Sequence, residues 1–245
     1  MRPYKSKVSA LAVFALAFFA NASTASADFV TFNASGPNGL SASVTFEVSG
    51  GNLIVTLTNT ASMDVWSSNQ VLTAVFFSLP GGLTPVSANV ASGSEVDNPT
   101  DAGNDAFPNV GGEWAYASGL NVSGSNQGIG SAGFDIFGSN DLFSDMDLDP
   151  PASPNGINYG ITTADDDPDN SNGGLEDMPL ISNSVVFTLS GWDSDWSLSD
   201  ITDVFFQYGT SLSEPQLAVP EPGVLALLTI GLVGLAFGVR KMCWV

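Results

Sequence analysis

A two-residue alternation near the start of the chain constrains its fold more than any other feature. Between residues 40 and 49, apolar and polar side chains take turns along the sequence. Side chains of a β-strand point alternately to its two faces, so this stretch predicts a strand with one buried face. Gly50 and Gly51 come next and precede the β-branched run LIVTLT, which predicts a tight hairpin. The apolar positions are Leu40, Ala42, Val44, Phe46 and Val48.

Several later stretches also have the composition of strands, and turn-rich pieces containing Gly, Asn and Pro separate them. No long segment shows the 3.6-residue period of an amphipathic helix. The sequence therefore predicts an all-β domain over residues 28–211, built as a single antiparallel β-sandwich. A jelly-roll order and an immunoglobulin-like order are both compatible with it. The further candidate strands are 70–79, 113–118, 131–138, 157–163, 183–192 and 201–209.

Charged residues are divided along the chain by sign. The five Lys and Arg residues are at positions 2, 5, 7, 240 and 241, whereas the 25 Asp and Glu residues lie between Asp28 and Glu221, and there is no His. The stretch between the two basic ends cannot form an internal salt bridge, so its carboxylates must be solvated, hydrogen-bonded or paired with metal ions. Such a surface repels phosphate backbones, which excludes DNA and RNA as partners.

The first 27 residues have the three parts of a secretory signal. Cationic residues at positions 2, 5 and 7 precede an apolar stretch over 8–20, and the small-residue sequence Ala25-Ser26-Ala27 follows. We predict a signal peptide helix over 1–27, with signal peptidase recognising Ala25 and Ala27 and cutting after Ala27.

The C-terminal end carries a second apolar run, over residues 224–239. As a helix it measures about 24 Å, against roughly 30 Å of hydrocarbon, so it predicts a short transmembrane helix. Arg240 and Lys241 follow directly and stay on the cytoplasmic side, which makes 240–245 a cytoplasmic basic tail. Residues 212–223 then form a linker between the domain and the membrane.

The end of this linker resembles a known sorting signal. Val219-Pro220-Glu221-Pro222-Gly223, the glycine-containing apolar run and Arg240-Lys241 together are similar to the PEP-CTERM signal of bacterial exported proteins. Stretches of the body, at 111–119, 154–167 and 179–191, resemble exosortase-dependent surface proteins without an assigned activity.

The resemblance implies a location and a processing route. Such a protein is anchored in the inner membrane until exosortase processes it, and it is then found at the cell surface or in the extracellular matrix. The resemblance further implies an association with extracellular polysaccharide and biofilm. The four residues 242–245 after the basic pair depart from the signal.

The inventory of reactive side chains disfavours catalysis. A Ser or Cys nucleophile needs a neighbouring His or Lys as a base, and the stretch between the basic ends contains neither. The only Cys, Cys243, lies beyond the apolar run. A carboxylate-pair glycosidase stays open as the least favoured alternative, because 25 acids always include some suitable pair. We expect a protein that is not an enzyme and has no catalytic residue.

One acidic stretch has the spacing of a calcium-binding loop. In DDDPDNSNGGLE, the residues Asp165, Asp167, Asp169 and Glu176 occupy loop positions one, three, five and twelve. Asn170 stands where the loop requires glycine. Calcium is therefore the one candidate cofactor, and these four residues are its candidate ligands.

Two tryptophans suggest a possible sugar site. Trp192 and Trp196 flank Asp193 and Asp195, and aromatic rings beside carboxylates can bind sugar rings. Packing in the core is the commoner fate of such rings. With the calcium loop, they make a calcium-dependent carbohydrate-binding module the main alternative function.

The expectation that best combines these features is an exported, exosortase-processed surface or matrix protein with a structural or adhesive role. Its expected partners are exosortase and signal peptidase as processing enzymes, the membrane through the C-terminal helix, and extracellular polysaccharide.

Overall fold

The computed structural model describes residues 29–99, 108–134, 156–167, 171–172 and 174–220. Within these ranges the regular elements are β-strands and short 3-10 helices, and no helix is long and apolar enough to cross a membrane. The all-β class is thus confirmed for the described part of the chain. The predicted signal peptide and the predicted transmembrane helix lie outside it.

The strands form two sheets. In chain order they are β1 (Phe29–Ser35), β2 (Ser41–Ser49), β3 (Asn52–Asn59), β4 (Leu72–Ser78), β5 (Thr84–Val90), β6 (Val96–Asp97), β7 (Ala115–Val122), β8 (Ser125–Gly130), β9 (Ile161–Thr162), β10 (Leu180–Ser182), β11 (Ser184–Ser190), β12 (Thr202–Tyr208) and β13 (Gln216–Ala218).

The first sheet has the strand order β1-β2-β3-β11-β5, and all its neighbours are antiparallel. The second sheet has the order β13-β12-β4-β9-β10-β6, with β8 also paired to β4 and β7 paired to β8. β9 and β10 pair in parallel, so the second sheet is mixed and the prediction of purely antiparallel pairing is corrected. The long connection from Thr162 to Leu180 permits this, because parallel neighbours need a crossover rather than a hairpin.

One hydrophobic core joins the two sheets. The rings of Phe46 on β2 and Phe77 on β4 meet edge to face, with their centroids 5.1 Å apart. The ring of Trp114, just before β7, has its centroid 4.9 Å from that of Phe187 on β11. The alternating apolar residues of β2 all belong to this core, apart from Val48, which is half-buried against it. The faces predicted from the sequence are therefore the buried ones.

Strand β4 is buried on both of its faces. Val75 and Phe77 belong to the main core, whereas Ala74 and Phe76 belong to a second cluster under the β7–β8 hairpin. Phe76 stacks on Phe205 of β12 with ring centroids 4.8 Å apart. Two-sided burial explains why this stretch of sequence is almost continuously apolar instead of alternating.

The strands predicted at 40–49, 53–58, 70–79, 183–192 and 201–209 are present as β2, β3, β4, β11 and β12. The predicted Gly-Gly hairpin is present as well, because Gly50 and Gly51 both have positive φ, at 59° and 81°. This is the backbone that a two-residue hairpin demands.

Other predicted strands differ from the structure. Residues 131–134, the described part of the stretch predicted at 131–138, are not a strand, and of 157–163 only Ile161–Thr162 is one. Directly before residue 131, the stretch SNQGIG forms β8 although most of its residues are poor strand formers. Its pairing with both β4 and β7 outweighs local propensity.

Candidate functional site

The most informative site is the place where the chain leaves the domain. Strand β13 pairs antiparallel with β12, and the ladder continues one residue further because Val219 N donates to the Val204 carbonyl at 3.0 Å. The Val219 side chain packs against the main core, whereas Pro220 is exposed. The structure therefore places residues 216–219, part of the predicted linker, in the domain.

A buried glutamine fixes this last strand. Gln207 of β12 is fully buried, and its Nε2 donates to the carbonyl oxygens of Tyr208, at 2.7 Å, and Ser211, at 2.9 Å. Gln216 of β13 donates from Nε2 to the Gln207 Oε1 at 2.8 Å. Hydrogen bonds from neutral amides thus join these two strands. Ion pairs cannot do so, because the described ranges contain no cationic side chain.

The turn between β12 and β13 is held by a carboxylate. Glu214 Oε2 accepts hydrogen bonds from the backbone N–H of Thr210 at 2.6 Å and from that of Ser211 at 2.8 Å. Gly209 has a φ of 72°, and a Cβ there would lie 2.4 Å from the same Glu214 oxygen. Glycine is therefore required for the close approach of the carboxylate.

An apolar groove of about 360 Å³ opens beside the exit point. It lies between β1, the edge of the first sheet, and the β12–β13 edge of the second. Asp203 is the charged residue of its lining. The groove is lined by Val30, Phe32, Leu198, Ser199, Ile201, Thr202, Asp203, Val204, Val219 and Pro220.

This groove also brings the two ends of the described chain together. Val30 directly follows Phe29, the first described residue, and Pro220 is the last described residue. Phe29, next to Val30, is 62% exposed. We call the surface formed by Phe29, the groove and Pro220 the terminal corner.

The sequence at this exit matches a known family of sorting signals. Residues 218–241 match the PEP-CTERM protein-sorting motif. The chain carries a PEP-CTERM sorting motif. The PEP-CTERM motif supports an exported protein that exosortase sorts and processes at the membrane. No curated protein and no solved structure matches the chain.

Of the predicted sorting residues, the structure describes Val219 and Pro220. Glu221, Pro222, Gly223, Arg240 and Lys241 lie outside the described residues, as do the predicted signal-cleavage residues Ala25 and Ala27. The sequence pattern found the motif but not the groove beside it. Phe29 and Val30 are adjacent apolar residues, which hides the alternation of β1.

The predicted calcium ligands are not gathered into a site by the described residues. Asp165, Asp167 and Glu176 are exposed, and Asp169 lies outside the described part. Among the residues that the structure describes, no group of three His, Cys, Asp or Glu side chains could hold a metal ion. The four-residue calcium set therefore stays a prediction.

The acid that points inward in this stretch is a different one, Asp166. Its Oδ1 accepts a hydrogen bond from Val65 N at 2.6 Å. Burial raises the pKa of the Asp166 carboxyl, and the charges of Asp64 and Asp97 raise it further, while the Val65 N–H lowers it. Burial, followed by the charge of Glu95, also raises the pKa of Asp97. We call Asp64, Asp97 and Asp166 the acidic edge.

The two predicted sugar-binding tryptophans are perpendicular to each other. Trp192 and Trp196 have ring centroids 5.6 Å apart at 84°, and both pack against the main core. Trp196 covers Gly81, where a Cβ would lie 2.8 Å from the ring. Asp193 Oδ1 accepts from Asp195 N at 2.9 Å, which gives this carboxylate a local role in the turn. The rings thus do not form one flat stacking surface, and the sugar site stays a prediction.

Proposed function

We propose that this chain is a non-enzymatic protein of the cell surface or extracellular matrix, processed by exosortase, with a structural or adhesive role in extracellular polysaccharide or biofilm. The observation that carries the proposal is the PEP-CTERM motif at 218–241, which begins at Ala218, the last residue of β13. In this proposal residues 224–239 hold the chain in the inner membrane until processing releases it.

The geometry of the exit supports processing at this place. Among the described residues, Val219 is the last one that is hydrogen-bonded to the sheet, and Pro220 is exposed. Pro222 restricts Glu221 to extended backbone, and extended segments fit protease clefts. Residues 220–223 of the motif thus lie between the described sheet and the proposed membrane helix, and in this proposal cleavage there requires no unfolding of the sheet.

The chemistry of the domain supports a role without catalysis. It is an acidic two-sheet scaffold, which we interpret as a sandwich, and no His, Lys, Arg or Cys lies between residues 8 and 239. General bases other than carboxylates are therefore missing from the proposed exported part. Its negative surface stays hydrated and soluble, as an extracellular polymer layer requires.

Intact-mass analysis of the chain from cells with and without active exosortase tests the proposal. We expect a C-terminus near Pro220 to Gly223 in the surface fraction of cells with exosortase, and a C-terminus at Val245 in cells without it. Replacing Pro220 and Pro222 together by Ala should leave most of the chain uncut. The exposed neighbour Ala218→Ser serves as the control and should be processed normally. A C-terminus at Val245 in cells with active exosortase would contradict the proposal.

A further inference from the structure

The terminal corner is a mostly apolar part of the surface of this acidic domain. Its groove is lined mostly by aliphatic and aromatic side chains, and Phe29, the chain neighbour of the groove residue Val30, exposes its ring on the opposite face of β1. An apolar groove on a protein of net charge −20 is a candidate contact surface.

The position of the corner identifies the partner. Three residues, 221–223, lie between Pro220 and Val224, where the proposed membrane helix begins, and the four Cα–Cα steps span at most about 14 Å. The headgroup layer of one leaflet is roughly 5–8 Å thick. Because Pro220 itself lines the groove, the corner must lie against the headgroups or just above them while the helix is inserted.

The N-terminal side leads to the same surface. Phe29 lies two residues after Ala27, the predicted end of the signal peptide, and Val30 and Pro220 line one groove. The domain can therefore fold while both of its hydrophobic ends are still in one bilayer. Ends on opposite sides of the domain would not allow this.

The chain's own tail does not suit the groove. Leu217 is buried and Val219 packs against the core, so the strand alternation would point Glu221 toward the same side. A carboxylate placed there would be desolvated beside Leu198 and Ile201, with Asp203 nearby and no cation in the lining. A second copy is disfavoured as well, because two acidic domains repel each other.

We propose that the terminal corner docks on the membrane in which the chain's own PEP-CTERM helix is inserted, with Phe29 and the groove contacting the lipid interface. The inference rests on the proposed insertion of residues 224–239. Contact depends on apolar burial, since the described ranges contain no Lys or Arg to attract anionic headgroups. It holds the domain down until processing removes the helix, after which the corner is released into water.

The test uses the chain after removal of the predicted signal peptide, residues 28–245, with Cys243→Ser, reconstituted in phosphatidylcholine vesicles that contain a shallow spin-labelled lipid. A single Cys carries an environment-sensitive fluorophore, either at Ser199, an exposed residue of the groove, or at Val86, which is 50% exposed on β5. We expect the spin label to quench the fluorophore at Ser199 at least two-fold more than that at Val86. Adding Phe29→Ser should lower the quenching at Ser199, whereas Met63→Ser, at a residue 52% exposed, should not.

Other outcomes overturn the inference. Equal quenching at Ser199 and Val86 means that the corner does not touch lipid. Protection of the Ser199 fluorophore from aqueous iodide without quenching by lipid means that the tail fills the groove, and energy transfer between labelled copies with no lipid quenching means that a second copy does. Flotation of the vesicles separates this inference from the proposed function: a chain that floats without lipid quenching defeats the docking alone, and a chain that does not float defeats the membrane anchor itself.

Discussion

The β12–β13 hairpin and the acidic edge are under the same constraint and meet it in opposite ways. The domain has no cation with which to neutralise a carboxylate, so any acid taken from water must find neutral donors. In the β12–β13 hairpin the sheet is fastened by the amides of Gln207 and Gln216. At the acidic edge Asp166 accepts from the Val65 backbone and faces two further acids. The comparison teaches that this domain can bury amides at little cost but buries carboxylates only at the expense of stability.

Substitution of Gln207 is expected to have the largest effect. Gln207→Leu removes the donor to the Tyr208 and Ser211 carbonyls and the acceptor of Gln216 Nε2, and it leaves these groups buried without their partner. We expect a loss of about 2–4 kcal/mol in the free energy of unfolding, measured by urea titration of the full chain in mild detergent. The exposed Ser213→Ala on the same hairpin should change it by less than about 0.5 kcal/mol. Similar values for both variants would show that the amide does not fasten β13.

The acidic edge predicts an unusual pH dependence. Because Asp97 and Asp166 have raised pKa values, the folded state binds their protons more tightly than the unfolded chain does. The stabilisation is fully present at low pH and is lost as the pH rises above the ordinary carboxyl range, near 4, and through the raised values. We therefore expect the urea midpoint to rise as the pH falls from 7 to 5. A falling midpoint would contradict this.

Asp166→Asn sharpens the same comparison. The amide keeps an oxygen for Val65 N–H and removes a charge that Asp64 and Asp97 repel. We expect a gain at pH 7, kept below roughly 1 kcal/mol by solvent screening, and a flatter pH profile. The adjacent exposed Asp165→Asn is the matched control and should leave the slope almost unchanged. An Asp166→Asn protein that is less stable than the parent would mean that the carboxylate is required.

The smallest effect is expected for the exposed ring at the corner. Phe29→Ser, at a side chain 62% exposed, should change the free energy of unfolding by less than about 0.5 kcal/mol, as should Val86→Ser on β5. Thermal melting of both variants in detergent checks this. A large loss for Phe29→Ser would show that the ring supports the fold and is not a contact surface.

Local patterns predicted much of the fold. The hairpin of β2 and β3 follows from alternation and from Gly50-Gly51, whose positive φ values the turn requires. Strand β8 could not be found in this way, because SNQGIG pairs as a strand only through its two neighbours. β13 was hidden for a related reason. Its three residues form a strand because they pair with β12 and because Gln216 bonds to Gln207. Their own strand propensity contributes less.

The candidate sites divide along the same line. The PEP-CTERM motif is a contiguous signal, so the sequence alone was sufficient to find it. The spacing of the calcium loop selected Asp165 and Asp167, but the residue turned inward is Asp166, because the Val65 backbone from a distant part of the chain binds its carboxylate. Spacing along a chain does not record such a partner.

By itself, the sequence determined the β-class, the confinement of all cations to the two ends, and the sorting motif, since periodicity, charge and a contiguous signal are local properties. Only the tertiary structure decided that β9 and β10 run parallel, that β4 is buried on both faces, and that Val30 and Pro220 line one groove. These features depend on which strands become neighbours. That choice is made by burial of side chains distant in sequence, which no short stretch of the chain encodes.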